Sequence, residues 1–176
     1  INTASILASA NKRVLLLDFD MHKPKVHQSM QLNNDVGLST FIVGKNTLKE
    51  IIQETELANF SVITAGPIPP NASELVLSPR VNELFTQLKE QYDYIIIDTP
   101  PVMLISDSMV LLRSVDIGLF VMNTEKATRS GVRYLEEIVE SNNLAHTTLV
   151  LNSVKRKKWR CYYGRYSYNY SYGYGY

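Results

Sequence analysis

The chain has 176 residues, 45% of them hydrophobic, and its 18 Lys and Arg residues against 17 Asp and Glu leave a formal net charge of +1. That is enough apolar material for one folded domain with a core, and the near-neutral balance supplies no global field that would draw in nucleic acid, so no nucleic-acid partner is expected. A single cysteine, Cys161, excludes an internal disulfide, and no run approaches the ~18 apolar residues of a membrane span or the layout of a signal peptide, so the chain as written reads as soluble.

Taken in chain order, five runs rich in Val, Ile, Leu and Phe have strand length: Arg13 to Leu17, Phe60 to Thr64, Tyr94 to Ile97, Ile117 to Met122 and Thr147 to Leu151. They are apolar throughout rather than alternating, the pattern of strands buried on both faces of a parallel sheet. The segments between them read as helices. Ser78 is a good N-cap with Pro79 at the first helical position, and Val81, Leu84, Phe85 and Leu88 follow at helical spacing. A second helix is expected after Arg129, with Val132, Leu135, Ile138 and Val139 on one stripe. Alternating strands and helices predict a doubly wound α/β fold with a mainly parallel sheet. In that architecture ligands bind beyond the carboxyl ends of the strands.

Two of those strand ends carry carboxylates. Leu15-Leu16-Leu17 runs into Asp18-Phe19-Asp20, and Ile95-Ile96-Ile97 runs into Asp98-Thr99-Pro100-Pro101. An apolar strand ending in Asp is the form of a Walker B element, whose carboxylate holds Mg²⁺ beside nucleotide phosphates. A strand-end Asp is also a common helix cap or turn former, and a single match would carry little. Two such strands favour the metal-phosphate reading for Asp18 and Asp98, while Asp20 stays balanced between the two roles.

Other residues attract less. His22 and His27 lack the i, i+4 spacing of a helical zinc pair, and no cysteine accompanies them. Cys161 has no histidine near it in sequence. The basic run Lys155-Arg156-Lys157-Lys158 with Trp159-Arg160 reads first as a solvated stretch, and second as a contact for phosphates or anionic lipid. Composition changes there. Of 11 tyrosines, 8 lie in the last fifteen residues: Tyr162, Tyr163, Tyr166, Tyr168, Tyr170, Tyr172, Tyr174 and Tyr176. The alternation from Tyr166 onward would suit a strand, but the intervening Ser, Asn and Gly are turn formers, so a flexible tail is expected. The boundary is set at 154/155, giving a folded domain over 1–154 and a basic, tyrosine-rich tail over 155–176.

The run Leu15-Leu16-Leu17-Asp18-Phe19-Asp20-Met21-His22-Lys23-Pro24 resembles the second Walker motif of bacterial tyrosine autokinases. Gly37-Leu38-Ser39, the loop Gly66-Pro67-Ile68-Pro69-Pro70-Asn71-Ala72-Ser73-Glu74-Leu75 and the double-Pro Walker B run agree with that family in order and spacing. There are two departures: His22 stands where the family usually has Arg, and no G-x-x-x-x-G-K-[ST] phosphate loop occurs. Ile1 to Ala8 resembles the helix that follows this loop, so the loop is expected upstream of Ile1.

The resemblance implies a P-loop NTPase-like fold of the deviant Walker type, with ATP and Mg²⁺ as cofactors. It implies Asp18, Asp20 and Asp98 as metal-organising and catalytic residues, with Asp18 or Asp20 accepting the tyrosine proton. Asn152 falls where related proteins contact adenine, and a turn-forming Asn is the equal alternative. The eight tail tyrosines become acceptors, phosphorylated in trans within a ring-like homo-oligomer. The implied partners are a membrane-spanning portion or activator and a cognate tyrosine phosphatase. The implied place is the cytoplasmic side of the inner membrane, in capsule or exopolysaccharide export. Two rivals stand beside this reading: a partition or site-selection ATPase of the same fold, and a regulatory domain without catalysis.

Overall fold

The computed structural model describes residues 1–102 and 107–155. Their elements in chain order are α1 (Asn2–Ser9), β1 (Val14–Asp18), α2 (Val26–Met30), α3 (Leu38–Ile42), α4 (Leu48–Ile51), β2 (Gln53–Glu54), β3 (Phe60–Ile63), α5 (Ala72–Val76), α6 (Pro79–Lys89), β4 (Tyr94–Asp98), α7 (Asp107–Leu112), β5 (Gly118–Asn123), α8 (Arg129–Ser141) and β6 (Thr147–Asn152). All five predicted strands are present. The chain forms two compact units, Ile1–Gly118 and the part from Leu119 onward.

The first unit is built on a four-stranded sheet of order β2-β3-β1-β4. β1 pairs in parallel with β3 on one side and with β4 on the other, and only the short edge strand β2 runs antiparallel. Every residue of β1 is buried. Its side chains alternate between two cores, as the pleat requires: Leu15 and Leu17 join Phe19, Leu38, Ile63, Leu84 and Leu88, while Val14 and Leu16 join Ala4, Ala8, Phe60 and Val62. A parallel strand covered by helices on both faces has no polar side to present, and hence the unbroken apolar run. The small residues Ala4 and Ala8 let α1 sit close against the sheet on one face. The opposite face is closed by α6, whose Val81, Leu84, Phe85 and Leu88 are buried as the spacing predicts. Ser78 Oγ accepts the Arg80 N–H at 3.4 Å, capping that helix ahead of Pro79.

Strands β5 and β6 pair with each other in a sheet of their own. Here, as in β4, where Tyr94 and Asp98 are exposed and the three isoleucines half-buried, the expectation of burial on both faces fails. Gly118 and Phe120 of β5 are buried while Leu119 and Val121 are exposed, and Leu149 and Leu151 of β6 are exposed as well. An apolar run thus accompanies β5, with one open face, and β6, exposed along nearly its whole length, because side-chain composition alone does not say how many faces are covered. α8 starts at its Thr128 cap, which accepts the Gly131 N–H at 3.1 Å, and its stripe of Val132, Leu135, Ile138 and Val139 is half-buried.

Candidate functional site

The parallel ladder of β1 and β4 runs one residue further than the apolar runs themselves. Asp18 and Asp98 are the last pair in register, following Leu17 and Ile97. The Phe19 N–H donates to the Asp98 carbonyl at 2.8 Å and locks the two strand ends together. Side chains at paired positions of neighbouring strands leave the sheet on the same side, so the two carboxyls are held by backbone geometry rather than by flexible loops.

Asp18 is fully buried. Its Oδ1 accepts the Asp20 N–H and its Oδ2 accepts the Val26 N–H, both at 3.2 Å, so this one carboxyl staples both ends of the turn that follows β1. Burial raises its pKa to about 6; the two backbone hydrogen bonds oppose that shift, and the charges of Asp98 and Asp20 add to it. Asp20 is half-buried, and its Oδ1 accepts the N–H groups of His22 at 3.2 Å and Lys23 at 2.9 Å. The turn-forming role weighed for Asp20 is therefore filled, whatever else it does. Asp98 keeps an exposed surface, yet lost hydration around its carboxyl raises its pKa, and Asp20 pushes in the same direction.

These three carboxyls are mutually coupled hard-oxygen donors, the chemistry that suits Mg²⁺. Among the described residues no group of three or more His, Cys, Asp or Glu side chains is arranged to enclose a metal ion. The residues fit such an ion because a buried carboxyl with a raised pKa and carboxylate neighbours gains most from a nearby positive charge.

The β3 side of the site is shaped by the two glycine motifs and by Asn34, which carried no mark in the sequence. Asn34 Nδ2 donates to the Gly66 carbonyl and the Gly66 N–H donates to Asn34 Oδ1, both at 2.9 Å, so one side-chain amide imitates a strand partner for Gly66. Ser39 Oγ donates to the Pro67 carbonyl at 2.8 Å. Gly37 and Gly66 meet so closely that a Cβ on Gly37 would lie 2.3 Å from the Thr64 oxygen and 2.5 Å from the Gly66 nitrogen. Gly66 also has φ +78°, in the left-handed region that favours glycine. The motifs Gly37-Leu38-Ser39 and Gly66 to Leu75 stood out in the sequence, but their mutual contact, 29 positions apart at the glycines, and the Asn34 clamp did not.

Asn152 closes β6 in the second unit. Its Oδ1 accepts the Ser153 N–H at 2.8 Å and its carbonyl accepts the Thr124 N–H at 2.9 Å, so the turn-forming alternative is realised locally. Lys155 pairs with Glu125 at 3.0 Å on an exposed surface. The rest of the basic run, Cys161 and the tyrosines Tyr162, Tyr163, Tyr166, Tyr168, Tyr170, Tyr172, Tyr174 and Tyr176 lie outside the described residues. No helix among the described residues is long and apolar enough to cross a membrane.

Residues 1–150 match the AAA domain family. The putative tyrosine-protein kinase CapB of Staphylococcus aureus is 37% identical over 165 residues, covering 94% of this chain and 72% of that protein. Tyrosine-protein kinase wzc of Salmonella typhi is 35% identical over 168 residues, covering 95% of this chain but only 23% of that protein. Among solved structures, the kinase domain of Escherichia coli tyrosine kinase ETK superposes with a TM-score of 0.83 at 32% identity, over 96% of this chain and 65% of that one. The chain thus spans most of one of these relatives and under a quarter of another.

Proposed function

The chain belongs to the bacterial tyrosine-protein kinase family, with a P-loop NTPase-like α/β fold, and from that premise we propose that it transfers the γ-phosphate of ATP to tyrosines of its own C-terminal segment. The observation that carries the proposal is the register pair Asp18 and Asp98, two carboxyls set side by side at the carboxyl edge of the sheet by backbone hydrogen bonding. Phosphoryl transfer has a loose transition state with charge spread over equatorial oxygens, so positioning and charge neutralisation contribute more than base strength. A bound Mg²⁺ supplies that neutralisation. Asp18 and Asp98 would hold it, directly or through water, with Asp20 nearby. A tyrosine hydroxyl titrates near ~10, so a carboxylate that accepts its proton helps. Asp20, with open surface, is better placed for that than Asp18, whose oxygens already serve the Asp20 and Val26 amides.

No G-x-x-x-x-G-K-[ST] occurs in the 176 residues, so the proposal includes a phosphate loop contributed from outside them. It includes Asn152 as the adenine contact, by virtue of an amide that both donates and accepts.

The acceptors proposed are Tyr162, Tyr163, Tyr166, Tyr168, Tyr170, Tyr172, Tyr174 and Tyr176, modified in trans within a ring-like homo-oligomer. Each phosphate adds roughly −1.5 to −2 charges, so several would loosen packed subunits, and a phosphatase would reset them. A membrane-spanning portion or activator would hold the kinase at the cytoplasmic side of the inner membrane, where the cycle would regulate polysaccharide polymerisation and export.

The test is mass spectrometry of full-length protein incubated with Mg·ATP. Phosphate is expected on several tail tyrosines and little on Tyr92, Tyr94 or Tyr134, which sit in or beside helices and strands. A catalytically dead protein with its tail should be labelled by an active one lacking its tail. Absence of tail phosphate would hand the sequence to the ATPase or regulatory reading.

A further inference from the structure

Strands β5 and β6 each close on an asparagine, and the two ends are tied together. Asn123 Oδ1 accepts the Glu125 N–H at 2.9 Å and its carbonyl accepts the Lys126 N–H at 3.1 Å, which turns the chain sharply after β5. That turn brings Thr124 to the end of β6. The Thr124 N–H donates to the Asn152 carbonyl at 2.9 Å, and Thr124 Oγ1 donates to the Ser153 carbonyl at 2.8 Å. One residue thus holds the carbonyls of two successive peptide units. Between them Ser153 sits at φ +59°, in the left-handed region that a residue with a side chain seldom adopts unless its surroundings impose it. Here Thr124 imposes it.

The consequence falls on the Asn152 side chain. The peptide unit from Asn152 to Ser153 is gripped at both ends: its carbonyl by Thr124 and its N–H, at 2.8 Å, by Asn152 Oδ1. An N–H needs an acceptor, so the amide oxygen is the atom turned toward Ser153, and the carboxamide cannot turn over without losing that bond. Asn152 is exposed, its Nδ2 has no partner among the described residues, and its Oδ1 keeps a second lone pair. The strand end therefore presents a donor and an acceptor side by side in a fixed order. A carboxamide can pair twice with adenine, through the base's amino group and a ring nitrogen beside it. Guanine carries an oxygen where adenine carries that amino group, so an amide pinned in the orientation that suits adenine sets oxygen against oxygen. An amide free to turn over would serve both bases.

We propose that Thr124 is a positioning residue of the nucleotide-base site, and that by pinning the Asn152 amide through the Ser153 backbone it sets a preference for adenine over guanine. This rests on the place given to Asn152 as the adenine contact in the reading above.

The experiment is calorimetric titration of the full-length protein with Mg·ADP and with Mg·GDP, comparing Thr124→Val, Thr124→Ser and Asn152→Ala with the unaltered protein. Thr124→Val keeps the shape of the side chain and the backbone N–H and loses only the hydroxyl donor. It should weaken Mg·ADP by about fivefold and leave Mg·GDP within about twofold, so that the preference for adenine shrinks. Thr124→Ser keeps the hydroxyl and should keep the preference, and Asn152→Ala should bring the two nucleotides to within about twofold of each other. An unchanged ratio of the two affinities in Thr124→Val, whether both hold or both fall together, overturns the role given to Thr124. An unchanged ratio in Asn152→Ala removes that residue from the base site and overturns the proposal with it. A preference that responds to these substitutions in a protein that phosphorylates no tyrosine would overturn the kinase reading and leave the base site standing.

Discussion

Asp18 and Asp98 are adjacent across the β1–β4 ladder although eighty positions separate them, and the Phe19 N–H to Asp98 carbonyl bond closes the ladder directly beyond them. Neither carboxyl can leave without unzipping the parallel pairing of β4 with the buried strand β1. That gives the site the rigidity that electrostatic catalysis requires.

Replacing either carboxyl with its amide should therefore silence chemistry without unfolding the protein. In full-length protein, Asp18→Asn or Asp98→Asn is expected to lower tyrosine phosphorylation by about a hundredfold or more while the circular dichroism spectrum stays unchanged. Full activity in either variant would remove that residue from the metal site.

The raised pKa of Asp18 sets a pH dependence of stability. The group holds its proton more tightly folded, at about 6, than at its ordinary value of 3.8. Folding therefore takes up a proton in that window, and the associated stability is lost as pH rises through it. Asp98 acts in the same direction. Asp93, drawn down to about 2 by hydrogen bonds from Arg13, acts oppositely in a lower window, losing its contribution as pH falls from 3.8 toward 2. Urea midpoints of the metal-free protein should fall between about pH 4.5 and pH 6.5. The fall should be smaller in Asp18→Asn, and an identical fall in that variant would show that the titrating group lies elsewhere.

Added Mg²⁺ should reduce that pH dependence, since a cation beside Asp18 favours its ionised form. Midpoints measured at several pH values with and without the ion would reveal the difference. A slope insensitive to Mg²⁺ would argue against direct contact with the metal.

The glycine contact has its own signature. Gly37→Ala drives a methyl into the Thr64 carbonyl and the Gly66 backbone, neither of which is a flexible side-chain end. A destabilisation of about 1–3 kcal/mol is expected from denaturant unfolding. Gly131→Ala makes a useful control, because its added Cβ would come no nearer than 3.3 Å to the Thr128 hydroxyl.

For the nucleotide, the 176-residue chain should bind Mg·ATP more weakly than about 100 µM, because it has no glycine-rich loop to cradle the phosphates. Calorimetric affinity in the low micromolar range would locate the phosphates elsewhere in this chain.

What the sequence determined by itself is whatever local composition controls. Largely apolar runs marked β1, β3 and β4; Ser78-Pro79 marked the start of α6; and an Asp closing each of two strands marked the site. Those signals are legible because a buried parallel strand must be apolar along its length and a helix start must be capped. Tertiary structure decided which strands became neighbours, and so whether two strand-end carboxyls met. It extended β1 and β4 by the one residue that makes Asp18 and Asp98 a register pair. It set β5 and β6 in a sheet of their own, with alternate residues of β5 and nearly all of β6 exposed where their apolar runs had promised cover. It also gave Asn34 its two hydrogen bonds to a glycine 32 positions away. An asparagine in a polar loop has no sequence mark that distinguishes it from a solvated one, because what it holds is backbone, and backbone partners are assigned only when the chain has folded.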